Sequence, residues 1–307
     1  MSTDHRTATA EIMGTVISIA APASTDAAVF AAATEIAFDH LRRADRIFST
    51  FRPDSPVSRI RDGRLTLEQL REHPNGEEIR TVLALCAQLG RESGGAFDAW
   101  TVGGREGAAR AASAASAEGA EPGFDPSGLV KGWAAEQAAA ALTENGVPSH
   151  SLGAGGDIQV RAGAGEGRPW RIGISDPHRA GQLLTVIELV DGAVATSGTA
   201  ERGAHIWDPR AGVPATALAS VTIVGPNLTW ADGYATAAHA LAGASPGGVA
   251  AAYAWLQELA ARTGYEALTV TQGTDVWWTE GFPAHAPALR RALDRSGELD
   301  LDATGKV

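Results

Sequence analysis

Between residues 149 and 225 the sequence strings together short strand-like runs, WRIGIS, LLTVIELV, AVATS and ASVTIVG, punctuated by Gly and Asp-Gly. No helix-period segment separates them. Strands in consecutive groups, without a regular βαβ period, favour α+β over a doubly wound sheet, which needs a helix after nearly every strand. Helical patterns stand before and after this block instead. The chain is therefore expected to be α+β, a mixed sheet with helices, and no internal repeat at a fixed period points elsewhere.

The flanking elements follow from periodicity and capping. Residues 10–20 alternate as a strand broken at Gly14, and 24–48 read as a helix capped by Ser24, Thr25 or Asp26. Val29, Ala32, Ile36, Leu41 and Ile47 recur there at helical spacing. Pro53 and Pro56 make 48–60 loop-like. Further helices are expected from about Glu77 to Arg91, with Asn75 as cap, and over 127–144, begun at Ser127 and ended by Asn145-Gly146. Two Ala-rich helices, at about 230–242 and 247–262, precede a hairpin that turns at Gln272 to Asp275. Residues 103–121 are low in complexity and read as a surface insert, with a flexible segment at 1–9, one main unit over 10–285 and a tail over 286–307.

Composition excludes several classes. Alanine supplies 61 of 307 residues, so the 44% apolar fraction overstates the bulky core. No run of 18 uncharged apolar residues exists, so no membrane span is expected. The opening MSTDHRTATAEIMGT carries Asp4, His5, Arg6 and Glu11 where a signal peptide needs an apolar stretch. Cys86 stands alone and cannot form an internal disulfide, which fits a cytoplasmic location. A net charge of −11 argues against a nucleic-acid face. Of the 25 basic residues, Lys131 and Lys306 alone are lysine.

Four segments carry candidate chemistry. GAGGD at 153–157 lacks the third glycine of a dinucleotide fingerprint, because Ile158 stands in its place, and reads as a tight turn between strands. In DPSGLVKGWAAE at 125–136, Ser127 and Gly128 open a helix whose free N–H groups face the same end that Lys131 can reach. An ordinary capped helix has the same outline, but a lysine kept where arginine prevails points to tight phosphate contact. In TWADGYATAAHALAG at 229–243, Asp232 and Thr236 share one helix face, a hard-oxygen pair suited to Mg²⁺ and equally readable as a cap and a back-bonded threonine. In HIWDPRAG at 205–212, His205 is either a general base with Asp208 as its anchor or a buried hydrogen-bonding residue. His239, among alanines, reads as packing.

Taken in order, these blocks resemble the FAD:protein FMN transferase family, also called the ApbE family. The resemblance runs through MGT (13–15), FSTFRPDSPVSRI, GGAFD (94–98), DPSGLVKGWAAE, LGAGGDI, PWRIGISDP, ATSGTAERG, HIWDPRAGVP, SVTIVGPN and ADGYAT, and covers about residues 11–280. It implies a T-fold-related mixed α+β unit that binds FAD and a divalent cation, usually Mg²⁺. It implies cleavage of the pyrophosphate, transfer of FMN to a Thr or Ser hydroxyl of a partner flavoprotein, and release of AMP. By the same resemblance, Asp232 and Thr236 are metal ligands together with the Gly128 carbonyl. Met13, Phe51, Ala96, Phe97, Asp98, Asp125, Lys131 and Trp207 fall where the family contacts FAD. Asp232 and His205 are the implied catalytic residues, His205 assisting proton removal from the attacking hydroxyl.

This sequence departs from the family at several points. Phe51 replaces a common Tyr, Ala211 stands where DPxTG has Thr, Pro126 replaces Leu and Trp207 replaces Ile. The stretch from Thr199 to His205 is also short. These changes bear on acceptor choice and rate. Rival readings are a FAD pyrophosphatase, with water as acceptor, and a non-enzymatic FAD-binding or flavin-delivery protein. The family's acceptors carry a Ser/Thr-Gly-Ala-Thr-like motif. Thr196-Ser197-Gly198-Thr199 lacks its Ala, so a separate acceptor protein is expected.

Overall fold

The computed structural model describes residues 5–100, 123–163, 168–199 and 206–296. The low-complexity insert at 103–121 and His205 lie outside the described residues.

Eight strands form one antiparallel sheet in the order β1-β2-β3-β4-β7-β10-β11-β12. They are β1 (His5–Ile12), β2 (Thr15–Pro22), β3 (His150–Ala154), β4 (Asp157–Arg161), β7 (Gly192–Gly198), β10 (Leu218–Gly225), β11 (Glu266–Thr271) and β12 (Val276–Trp278). The chain leaves this sheet for a separate hairpin, β5 (Trp170–Ser175) with β6 (Leu183–Leu189), and for a short pair, β8 (Trp207–Asp208) with β9 (Val213–Pro214). The α+β expectation holds. The strand expected over 10–20 is instead two paired strands, because Met13 and Gly14 both take positive φ (56° and 68°) and turn the chain between them.

Six helices share one core on one face of the sheet: α1 (Ala27–Phe48), α2 (Pro56–Arg61), α3 (Gly76–Glu92), α4 (Ser127–Glu144), α5 (Leu228–Ala242) and α6 (Pro246–Thr263). A further helix, α7 (Pro287–Ser296), packs on the other side, against β6. The β5–β6 hairpin packs on the opposite face, where Ile172, Ile174 and Ile187 meet Val160, Val194 and Val224. This double cover explains why β10 is buried along nearly its whole length. No described helix is long and apolar enough to cross a membrane.

Two local expectations change. The segment 48–60 is not all loop: Pro56 opens α2, with the Ser55 hydroxyl accepting from Ser58 N at 2.9 Å. Proline lacks an N–H that the first helical position would leave unpaired anyway, so it starts this helix rather than barring it. In α1 the buried stripe is Phe30, Ala33, Ala37, Leu41, Ala44 and Phe48, while Val29 and Ile36 face outward. Alanines count as core here because they let neighbouring helices approach.

The first turn of α5 is pinned from two directions. Glu136 of α4 accepts from Thr229 N at 3.0 Å and from the Thr229 hydroxyl at 2.5 Å. Gln159 of β4 accepts from Leu228 N at 3.0 Å and donates to Gly192 O at 2.7 Å. Both side chains satisfy amides that a helix start leaves free. Glu136→Ala is expected to cost about 1–3 kcal/mol by leaving the Thr229 groups unpaired. Equilibrium urea unfolding would show this as a lower midpoint at unchanged slope, and an unchanged midpoint would refute it.

Candidate functional site

A cleft of about 790 Å³ opens between the first turn of α4, the β3–β4 turn, the β5–β6 hairpin, β7 and α5. It gathers Ala96, Phe97, Asp98, Asp125, Gly128, Lys131, Trp207, Asp232 and Thr236 from four separate stretches of chain. Asp232 and Thr236, four apart on α5, do share one face toward it. Gly128 brings α4 against α5: a Cβ there would stand 2.9 Å from Thr236 Cγ2 and 3.0 Å from a Phe97 ring carbon.

The wall residues are held by local bonds. Asp125 accepts from Ser127 N at 2.9 Å and Asp98 from Trp100 N at 2.8 Å. Ala96 and Phe97 are buried, with Phe97 N donating to the Ser93 hydroxyl at 3.0 Å. Trp207 sits in β8 opposite Pro214.

Charge concentrates at one end of the cleft. The Lys131 ammonium is ion-paired with Asp157 and lies 3.5 Å from Asp232 Oδ2. Asp157 is 2% exposed and Asp232 5%. Asp157 Oδ1 accepts from Thr196 N at 3.0 Å, and Asp232 Oδ2 from Gly132 N at 2.8 Å. In a helix, Gly132 N is the amide that bonds the Gly128 carbonyl, so Asp232 draws on the same donor. Ser197 Oγ lies 3.3 Å from Thr236 Oγ1. One ammonium against two buried carboxylates leaves this cluster one negative charge in excess.

Asp157 and Ser197 are the residues that sequence reasoning passed over. GAGGD is the tight turn it was read as, with Gly155 and Gly156 at φ 61° and 98°. The carboxylate that ends it carried no local signal, because its partner Lys131 belongs to another element.

Met13 and Phe51 stand apart from this cleft. Met13 lines a second hollow of about 620 Å³ with Arg42, Asp45, Arg46 and Arg52. Phe51 is 95% exposed. The two hollows adjoin, since a Cβ on Gly155 in the cleft would press to 2.5 Å on Thr15 Oγ1 of the second. Asp208 is committed to Arg210, which donates from Nε at 2.8 Å and from Nη2 at 3.0 Å. Burial pushes the Asp208 carboxyl up, and the Arg210 bonds outweigh it and hold the group below its ordinary value. His239 is buried within α5, on the core side.

The sequence model described as the ApbE family matches residues 13–263. The chain is 31% identical over 122 residues to a FAD:protein FMN transferase of Klebsiella pneumoniae, covering 36% of this chain and 35% of that protein. It is 36% identical over 136 residues to the Treponema pallidum protein of the same name, covering 38% of each. The matched stretch thus spans little more than a third of these curated relatives. Among solved structures, the ApbE protein of Thermotoga maritima superposes with a TM-score of 0.72 at 24% identity, over 92% of this chain and 99% of that one. The flavin transferase ApbE of Vibrio cholerae gives 0.68 at 23%, over 92% and 99%. At these identities the superpositions establish a shared fold.

Proposed function

The chain belongs to the ApbE family, and from that membership we propose that it is a flavin transferase: it cleaves FAD, attaches FMN through a phosphoester to a Thr or Ser hydroxyl of a partner flavoprotein, and releases AMP. The observation that carries this reading is the joining of Lys131, Asp232, Thr236 and the first turn of α4 in one cleft of ligand size.

The residues present fit a divalent cation. Asp232 carboxylate, Thr236 hydroxyl and Gly128 carbonyl are hard oxygens, and the cluster's excess negative charge awaits a positive partner. No group of three or more His, Cys, Asp or Glu suited to a metal exists among the described residues. A single carboxylate with neutral oxygens suits Mg²⁺, which keeps water and phosphate oxygens in its shell. When bound, Mg²⁺ would neutralise charge on the pyrophosphate.

The chain's own residues do the rest. Lys131 offers a compact ammonium to the phosphates, and the start of α4 presents the positive end of its dipole. Phe97 and Trp207 supply ring faces in the cleft walls. The acceptor hydroxyl oxygen attacks the FMN-side phosphorus, the bond to the bridging oxygen breaks, and AMP leaves with that oxygen. His205 takes the hydroxyl proton. Phosphoryl transfer needs mainly positioning and charge neutralisation, so this small set suffices.

The test combines the protein, FAD, Mg²⁺ and an acceptor domain bearing a Ser/Thr-Gly-Ala-Thr-like motif. AMP release with an acceptor heavier by the mass of FMN is expected. AMP with free FMN would make the protein a pyrophosphatase, and neither product would leave a FAD binder.

A further inference from the structure

We propose that Asp157 is a positioning residue that holds the Lys131 ammonium off Asp232 and so keeps Asp232 open to a cation. This rests on the reading of Asp232 as a cation ligand.

Lys131 has two carboxylates within reach: Asp157, with which it pairs directly, and Asp232 Oδ2 at 3.5 Å. An ammonium on a flexible four-carbon stem goes to whichever buried anion will pair it. Asp232 alone of the two carboxylates lines the cleft. Asp157 is also fixed in place. It opens β4, is 2% exposed, and has its other oxygen on Thr196 N at 3.0 Å. The two-glycine turn before it is tied to the start of β2, with Gly155 N donating to Val16 O at 3.3 Å. Without the Asp157 charge, the nearest anion left to Lys131 is the one the cation needs.

Direct competition differs from a diffuse charge effect in being non-additive. The probe is Mn²⁺ alone, titrated into the full chain and followed by the electron paramagnetic resonance of free Mn²⁺. Asp157→Asn keeps an acceptor for Thr196 N and is expected to weaken Mn²⁺ binding about tenfold or more, by freeing Lys131 to pair with Asp232. Lys131→Met is expected to change binding by less than about threefold in the wild-type background and to recover about tenfold in the Asp157→Asn background. Equal effects of Lys131→Met in both backgrounds would overturn the proposal in favour of simple charge addition.

A second measurement leaves the site unaltered. With two lysines in the sequence, ¹⁵N-lysine labelling of a Lys306→Arg chain isolates the Lys131 ammonium resonance. That resonance is expected to persist, still protected from exchange, at saturating Mg²⁺. Its loss on adding Mg²⁺ would mean the ammonium sat on Asp232 and was displaced. The underlying reading fails separately: Mn²⁺ binding that Asp232→Ala leaves unchanged would remove Asp232 as a ligand, whatever Asp157 does.

Discussion

Asp232→Ala is expected to abolish AMP release from FAD in the presence of Mg²⁺, a loss of at least about 10³-fold, the scale set by removing a charged group from a preorganised transition-state site. Asp232 supplies the one charge among the three oxygens assigned to the cation, and it faces Lys131 at 3.5 Å across the same space. Truncation also strips the acceptor from Gly132 N, now bonded at 2.8 Å, and an unpaired buried amide costs about 1–3 kcal/mol. The two effects separate with Asp232→Asn, whose amide oxygen can still accept from Gly132. Stability should return in that variant while activity stays lost. Full AMP release by Asp232→Ala would sink the cation assignment.

The second large effect lies one residue beyond Lys131. Helix propensity alone says that Gly132→Ala in α4 should stabilise by about 1 kcal/mol. Contacts reverse the sign. An added Cβ would stand 2.5 Å from the Leu228 carbonyl oxygen and 2.7 Å from Asp232 Cβ. Neither atom is the loose end of a side chain, so α4 and α5 must move apart. Overpacking of this kind costs about 1–3 kcal/mol. The functional loss should be larger than the stability loss, because α4 carries Gly128 and Lys131 while α5 carries Asp232 and Thr236. A displacement near 1 Å at such a site costs on the order of 10²-fold. Thermal unfolding and AMP release measured together check both. Gly247→Ala is the control, since Gly247 is exposed and its added Cβ would meet nothing nearer than 4.0 Å. A Gly132→Ala protein as stable and active as wild type would disprove the close-packing argument.

These predictions show unequal legibility along the chain. The helix α4 was readable to its ends, from Ser127 to Glu144, because its start and stop signals are local. In α1 the residues at helical spacing divide between faces, Leu41 and Ile47 buried and Val29 and Ile36 exposed, because the outward side also carries bulky apolar residues. Asp232 and Thr236 were readable as a pair because helix geometry alone puts them on one face. Met13 and Phe51 were expected at FAD by family resemblance, and the fold sets them at a neighbouring hollow and on the open surface.

By itself, then, the sequence determined what depends on neighbours along the chain. Helix starts, tight turns, the grouping of consecutive strands and the isolation of Lys131 among arginines are all of this kind. The tertiary structure alone decided which charges meet. Lys131, Asp157 and Asp232 come from α4, β4 and α5, and their pairing depends on how closely two Ala- and Gly-rich helices settle on the sheet. Electrostatic partnership is set by distance and burial in space, and sequence separation carries neither.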